Sequence, residues 1–316
     1  MNNPILSICI PTYNRATYLD DTLHSIVNQK IFQETNEIEI IISDNCSEDN
    51  TREISEKYIE IYGAKIQYFR NSENIKDSNF EKVLSHGKGI YLKLNNDTLK
   101  HLPGSLDTII SSINENIEER NILFFSNKVL KIKQNILCEN LNKFIETVSY
   151  WSGWIGAFGI WKEDFISLKD FSRYSHLQLT QVDVLFRLMN SKRPVFVINE
   201  KIFISLPPSK KGGYDILTVF LDNYIFLLTE QLNSNNLRKE IFLLEKRKLL
   251  LQFIHSWLVN IKINPNEYSF ECKNSFRRIV SHYKKDIMTL IRFIIFYTLS
   301  LFYYFLKKTT HHPFAN

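Results

Sequence analysis

Leu6-Ser7-Ile8-Cys9-Ile10-Pro11-Thr12-Tyr13-Asn14-Arg15 is the stretch on which the fold turns. A short apolar run reads as a strand, stopped by Pro11, and a polar turn follows it. Apolar residues then recur at Leu19, Leu23, Ile26 and Val27, the i, i+4, i+7, i+8 spacing of a helix with one buried face. Strand, polar turn and helix form one βα unit, and the next hundred residues repeat the pattern. Residues 38–42 are nearly continuous in isoleucine, as a strand covered on both faces requires. Ser47 is the expected N-cap of a helix running through Ile54, Tyr58 and Ile61. Strands follow at 66–69, 90–94 and 122–125, separated by helices carrying Phe80, Val83 and Leu84, then Leu106, Ile109, Ile110 and Ile113. Repeated βα units of this length predict an α/β fold with an open, mainly parallel, doubly wound central sheet flanked by helices.

In such sheets ligands bind beyond the C-terminal ends of the strands. That rule selects residues 11–15, 43–47 and 95–97, each polar directly after an apolar strand. The candidates are Pro11, Thr12, Tyr13, Asn14 and Arg15, then Asp44 and Asn45, then Asn95, Asn96 and Asp97. An ordinary strand-to-helix turn explains residues 12–15 taken alone. Asp44 and the 95–97 cluster at matching strand ends favour a ligand.

Residues 126–205 are less regular. They contain Trp151-Ser-Gly-Trp-Ile-Gly-Ala-Phe-Gly-Ile-Trp161, a helix around 183–189 and a strand at 195–198. Trp151 and Trp154 are either a flat platform for a ligand or core aromatics; Trp161 is read as core. After Pro207-Pro208 and Gly212-Gly213 the pattern turns wholly helical, so domains are expected at 1–206 and 207–316.

With 44% hydrophobic and 23% charged residues among 316, the chain folds rather than remaining disordered. Cys9, Cys46, Cys138 and Cys272 are far apart and form no CxxC, which disfavours structural zinc and a disulfide framework and suits a reducing cytoplasm. The opening residues have neither the basic nor the apolar segment of a signal peptide. The net charge of +5 is uneven: from Leu237 onward fourteen basic residues face five acidic ones, +9 against −4 for the rest. No nucleic-acid surface is expected from so local a charge. An acidic partner at one end is.

Residues 287–306 are almost wholly apolar and aromatic, broken by Arg292 and a few hydroxyls, and approach the roughly 20 residues that span a bilayer. Lys284-Lys285 and Lys307-Lys308 bracket them, with Tyr297, Tyr303 and Tyr304 suited to an interface. The expectation is peripheral or monotopic attachment to the anionic cytoplasmic face of the inner membrane rather than a span. The alternative is a packing helix or an oligomer contact through the C-terminal helices.

Four motifs carry a family resemblance. Ser7-Ile-Cys-Ile-Pro-Thr-Tyr-Asn-Arg15 leads a helix ending at Asn28-Gln29, and Ile40-Ile-Ile-Ser-Asp-Asn-Cys-Ser-Glu-Asp-Asn-Thr51 follows. Asn71-Ser-Glu-Asn-Ile-Lys-Asp-Ser-Asn79, with Asn74 and Asn79, precedes Gly87-Lys-Gly-Ile-Tyr-Leu-Lys-Leu-Asn-Asn-Asp97. In this order and spacing they resemble family 2 glycosyltransferases, strongly over roughly residues 5–105 and weakly over 150–205. The resemblance implies a GT-A (Rossmann-like) fold with an α-helical C-terminal extension here. It implies an inverting transfer of sugar from a nucleoside-diphosphate-sugar, UDP favoured, to a lipid-linked or polymeric glycan of capsule or O-antigen. It implies that Asp44 accepts from a base N–H, that Arg15 stands near phosphate, and that Asp97 binds Mn2+ or Mg2+. Where relatives commonly carry Asp-x-Asp this chain has Asn95-Asn96-Asp97, so Asn95 offers only an amide oxygen, for a sugar or ribose hydroxyl. The family's base comes from an acidic pair opening a helix, and that pair falls on Thr180 and Gln181. Asp183, His176 and Asp164 remain as candidates, with a helix-surface ion pair to Arg187 as the plain reading of Asp183. A nucleotide-sugar-binding scaffold that has lost catalysis is the second reading. A membrane-bound nucleotidyl- or phosphotransferase needs further acidic metal ligands that the chain does not supply.

Overall fold

The computed structural model describes residues 4–206 and 211–310, which fall into two units, Met1–Pro208 and Ser209–Asn316. The strands of the first unit are β1 (Leu6–Thr12), β2 (Ile38–Asp44), β3 (Ile66–Arg70), β4 (Tyr91–Leu94), β5 (Leu99–His101), β6 (Ile122–Phe125), β7 (Ile136–Cys138), β8 (Gly159–Trp161), β9 (Val195–Ile198) and β10 (Phe203–Ser205). Its helices are α1 (Ala16–Val27), α2 (Lys30–Glu34), α3 (Thr51–Tyr62), α4 (Ser78–His86), α5 (Ser105–Glu115), α6 (Leu141–Val148), α7 (Lys162–Ser167) and α8 (Thr180–Asn190). The central sheet has the order β3-β2-β1-β4-β8, parallel except for β8, which runs antiparallel to β4.

Alternation within β1 and β2 explains the layers. Ile8, Ile10, Ile40 and Ile42 share one core with Leu19, Leu23 and Ile26 of α1 and Ile109 and Ile113 of α5. Cys9 and Ile41, pointing the other way, lie on the face over which α4 packs with Phe80, Val83 and Leu84. Each of these buried side chains contributes about 1.5–3 kcal/mol. Gly89 lets the chain enter β4 tightly, because a Cβ there would stand 2.6 Å from the Ser7 amide nitrogen.

Several local expectations change. Pro11 does not end β1, which continues to Thr12 beside Ser43 and Asp44. Odd residues of β1 turn their backbone groups toward β4, where Asn95 N donates to Cys9 O at 2.8 Å, and even ones toward β2. Pro11 is odd and lies past the last β4 pair, Cys9–Leu94, so its missing N–H has no ladder partner to lose. Ser47 does not cap α3. The helix begins at Thr51, whose N–H is taken by Asp49 Oδ1 at 3.1 Å, while Ser47 Oγ accepts from Asn14 N. Ile61 faces outward. The strand at 122–125 does not extend the central sheet, because β8 occupies that edge; β6 pairs with β9 in a separate sheet completed by β7.

The second unit comprises β11 (Lys211–Asp215), α9 (Tyr224–Asn233), α10 (Lys239–Lys248), α11 (His255–Ile263), β12 (Tyr268–Glu271), α12 (Ser275–Tyr283) and α13 (Ile287–Thr310). It is not wholly helical, since β11 and β12 form a parallel pair. Rings hold that pair: Phe270 meets Tyr214 and Trp257 edge-on, each at 5.0 Å. In α13, Thr289 and Phe293 are buried, and the helix packs on α11 and α12. Ile287, Met288, Leu299, Phe302 and Tyr303 are each more than half exposed, so a large apolar face of α13 is uncovered. Pro207-Pro208 and the side chains of Lys307 and Lys308 lie outside the described residues.

Candidate active site

The sheet reverses its winding between β1 and β4: β2 and β3 are added on one side of β1, β4 on the other. That switch point is where an open α/β sheet leaves a crevice. Three loops converge on it, after β1, β2 and β4.

Asp97 stands at its centre. The side chain is nearly inaccessible, yet Thr12 Oγ1 donates to Oδ2 and Arg15 Nη1 to Oδ1, both at 2.9 Å. Residues more than eighty positions apart are thereby brought together. Thr22 Oγ1 donates to the Asp97 carbonyl at 2.8 Å, tying the loop to α1. Burial raises the Asp97 pKa, and Arg15 and Thr12 oppose that rise.

Asn95 is fully buried and turned inward. Its Oδ1 lies 3.1 Å from His101 Nε2, and His101 Nδ1 lies 3.1 Å from Ser105 Oγ. Burial, and then Lys93, lower the His101 pKa to about 3, so the ring is neutral at ordinary pH. A neutral ring that donates to Asn95 from Nε2 accepts from Ser105 at Nδ1. The amide oxygen assigned above to a sugar hydroxyl is thus engaged inside the protein. Asn96 is different: its Oδ1 is buried without a hydrogen-bond partner.

Asp44 is also buried and multiply held. It accepts from Ser47 N at 2.8 Å and Tyr68 OH at 2.6 Å, with Arg70 Nε at 3.5 Å. A carboxylate has about four acceptor positions, of which these contacts occupy three. Burial, and then the bond to Asp44, raise the Tyr68 pKa. Asn14 adopts φ 50°, a left-handed conformation asparagine tolerates, and accepts from Glu48 N at 2.8 Å. It joins the first loop to the second rather than facing the crevice. Pro11 is half-buried in β1, and the Tyr13 ring is 43% exposed, the open aromatic surface at this edge.

The remaining asparagines form a lattice. Asn45 Nδ2 donates to Asn74 Oδ1 at 2.7 Å, and its Oδ1 accepts from Ile75 N at 2.9 Å. Asn79 Oδ1 accepts from Ser43 Oγ and Asn71 Nδ2. These contacts set the course of residues 71–79 beside β2. Tyr68, Arg70 and Asn71 were not singled out from sequence as site residues, although Asn71 opens a quoted motif; Ser47 closes the selected stretch 43–47.

The three base candidates are not assembled together. Asp183 is buried between Arg173 and Arg187, with Arg173 Nε at 3.1 and 3.0 Å from its two oxygens and Arg187 Nε at 3.1 Å. The Arg187 ion pair exists but is buried, not superficial. Asp164 accepts from Arg193 Nη2 at 2.8 Å. It follows β8, whose final residue Trp161 pairs with Tyr91 at the start of β4, so Asp164 lies toward the end of the sheet opposite Asp97. His176 is exposed in the turn Ser175–Leu177, edge-on to Tyr174 at 6.0 Å. Thr180 and Gln181, where the resemblance places acids, open α8; Gln181 Nε2 donates to Gly153 O at 2.7 Å. Trp161 is core, its Nε1 donating to Asn121 O at 2.9 Å, and Trp151 and Trp154 are half-buried.

Lys93 was not foreseen. It is fully buried in β4, and its Nζ donates to Gly156 O at 2.7 Å and Leu94 O at 3.1 Å, over the rings of Phe125 and Phe203. Burial lowers its pKa to about 7.

The oxygen set at the crevice is hard but sparse. Asp97 supplies one carboxylate and Asn96 one orphaned amide oxygen, and no group of three His, Cys, Asp or Glu is disposed for a metal among the described residues. Such a set fits a cation shared with substrate phosphates, as Mg2+ is commonly held, and not a cage built by protein alone.

Residues 7–119 match the family model described as glycosyl transferase family 2. Over 88 residues the chain is 46% identical to abequosyltransferase RfbV of Salmonella typhimurium, 28% of this chain and 26% of that protein. Over 169 residues it is 28% identical to the GalNAc(5)-diNAcBac-PP-undecaprenol beta-1,3-glucosyltransferase of Campylobacter jejuni, 52% and 48% of the two chains. The chain therefore spans about a quarter to a half of these curated relatives. Among solved structures, the mannosyltransferase PcManGT from Pyrobaculum calidifontis, in complex with GDP-Man and Mn2+, superposes with TM-score 0.56 at 12% identity, covering 96% of this chain and 88% of that one. The fold is GT-A.

Proposed function

We propose that this chain, which belongs to glycosyl transferase family 2 through residues 7–119, transfers a sugar from a nucleoside-diphosphate-sugar to a lipid-linked or polymeric glycan of a bacterial surface polysaccharide. The observation that carries this reading is the meeting of Thr12, Arg15 and Asp97 at the switch point between β1 and β4. In it, the base lies against the open Tyr13 ring and gives an N–H to the remaining acceptor position of Asp44, with UDP favoured. Asn45, Asn74 and Asn79 hold the neighbouring loop in place. Arg15 supplies positive charge to the diphosphate. Asp97 and the Asn96 amide oxygen would hold Mn2+ or Mg2+ against the phosphates. Bound there, such a cation would supply Lewis-acid stabilisation to the leaving diphosphate. The undecaprenol-linked acceptor in the Campylobacter relative's name supports the acceptor class.

An inverting reaction needs a base for the acceptor hydroxyl. Asp183 is engaged by two guanidiniums and Asp164 lies toward the opposite end of the sheet, so His176, whose imidazole meets solvent, is our assignment. The helix α13, with its uncovered apolar face, its Arg292 and the preceding Lys284 and Lys285, would lie on the anionic cytoplasmic face of the inner membrane. A scaffold that binds donor without catalysis is the second reading, favoured by Thr180 and Gln181 in place of acids. Mixing the protein with UDP-, GDP-, dTDP- and CDP-sugars and Mn2+ tests the first reading. Hydrolysis of one donor, abolished by Asp97→Ala, supports it, and failure to bind any donor refutes it. Binding without turnover in the presence of acceptor glycans selects the scaffold.

A further inference from the structure

Arg15 occupies an oxygen that a cation also requires. Its Nη1 stands 2.9 Å from Asp97 Oδ1, Thr12 holds Oδ2, and the carboxylate has almost no contact with solvent. A buried carboxylate without a positive partner is costly. Arg15 therefore compensates Asp97 when no other cation is there. A divalent ion on the same carboxylate would face a guanidinium within a few ångströms, and like charges at that range repel strongly outside bulk water. The two cations are alternatives on Asp97.

We infer that Arg15 is a resident counter-ion that is exchanged: a divalent cation displaces it from Asp97, and the freed guanidinium turns to the donor diphosphate. This rests on the reading of the crevice as a donor site and adds an order of events to it. The architecture lets the exchange occur by side-chain rotation alone. Arg15 precedes α1 and its carbonyl accepts from Leu19 N at 2.9 Å, while the Asp97 backbone is held by Thr22 at 2.8 Å. Both backbones are thus pinned to one helix. The Arg15 side chain is 42% exposed, which gives its long stem room to move, whereas that of Asp97 is 3% exposed and stays. A planar guanidinium also suits phosphate oxygens, which it can engage through two N–H donors. Metal and nucleotide would consequently assist each other, because the ion releases the group that grips the phosphates.

The test is Mn2+ binding by nucleotide-free protein, followed by electron paramagnetic resonance, with Arg15→Met and Arg15→Lys beside the unaltered chain. Arg15→Met is expected to bind Mn2+ at least fivefold more tightly without nucleotide, and to bind UDP at least tenfold more weakly at saturating Mn2+. Arg15→Lys should lie between. A melting scan gives an independent readout: Mn2+ raises the Tm of Arg15→Met more than that of the unaltered protein, since only the variant leaves Asp97 uncompensated. Equal or weaker Mn2+ binding by both variants would overturn the exchange while leaving the donor site intact. Mn2+ binding that survives Asp97→Asn would overturn it too, by placing the ion elsewhere. If UDP, GDP, dTDP and CDP all fail to bind with Mn2+ present, the donor-site reading falls and the exchange with it.

Discussion

Replacing Lys93 with methionine should make the protein more stable at neutral and lower pH. The amine is fully buried, and burial takes its pKa from an ordinary 10.5 down to about 7. At about 1.4 kcal/mol for each tenfold change in proton affinity, charging it in place costs about 5 kcal/mol. Methionine has similar bulk and no charge, but it leaves the carbonyls of Gly156 and Leu94 without this donor, a loss of about 1–3 kcal/mol. The net gain expected below pH 7 is therefore about 2–4 kcal/mol. Its pH dependence follows from proton counting. Between about 7 and 10.5 the unfolded chain binds the proton that the folded chain has released, so the unaltered protein gains stability as pH rises through that window. The advantage of Lys93→Met should shrink by about 1.4 kcal/mol per pH unit above 7. Burial also shifts Cys9 upward and His101 downward, with Lys93 a smaller contributor to each. Urea unfolding of both proteins at pH 6, 7, 8 and 9, followed by circular dichroism, measures the difference directly. A variant less stable at pH 6, with a gap independent of pH, would show that the two carbonyls and the rings of Phe125 and Phe203 fully compensate the ammonium.

Other outcomes follow from the same contacts. Asp183→Asn removes the buried charge on which Arg173 and Arg187 converge and should cost about 1–3 kcal/mol of stability in the same urea assay, less than for a fully buried pair because the Arg173 side chain is 36% exposed. His176→Asn should lower kcat by about 10²–10⁴ with little change in UDP affinity, if the imidazole takes the acceptor proton; an unchanged kcat removes it as the base. A chain ending at Asp286 should lose sedimentation with phosphatidylglycerol vesicles that the full chain shows, and equal sedimentation would refute membrane docking by α13.

The fold was legible where both sheet faces are apolar. Ile40, Ile41 and Ile42 announce a covered strand, and Leu19, Leu23 and Ile26 announce the helix that covers it. Pairing was not legible. Nothing in the 122–125 run says that it joins β9 rather than β4, because that choice depends on β8 taking the edge first. The pair β11 and β12 escaped notice since Gly212-Gly213 reads as a breaker, and ring packing around Phe270, not propensity, holds it. At the site, strand-end logic located Thr12, Asp44 and Asp97. It was silent on what holds them: Tyr68 and Arg70 lie in a neighbouring strand, and His101 reaches Asn95 from beyond the loop. Lys93 was hidden for the opposite reason, as one polar residue inside an apolar strand whose partner, Gly156, is 63 positions away.

The central claim, that the crevice between β1 and β4 takes a nucleoside-diphosphate-sugar, is tested most directly by a crystal structure of the full chain soaked with UDP and Mn2+. The expected electron density shows the uracil ring against Tyr13 with an N–H directed to Asp44, Mn2+ on Asp97, and Arg15 turned from Asp97 to the diphosphate. UDP bound away from these loops, or absent from crystals soaked well above millimolar nucleotide, would contradict it.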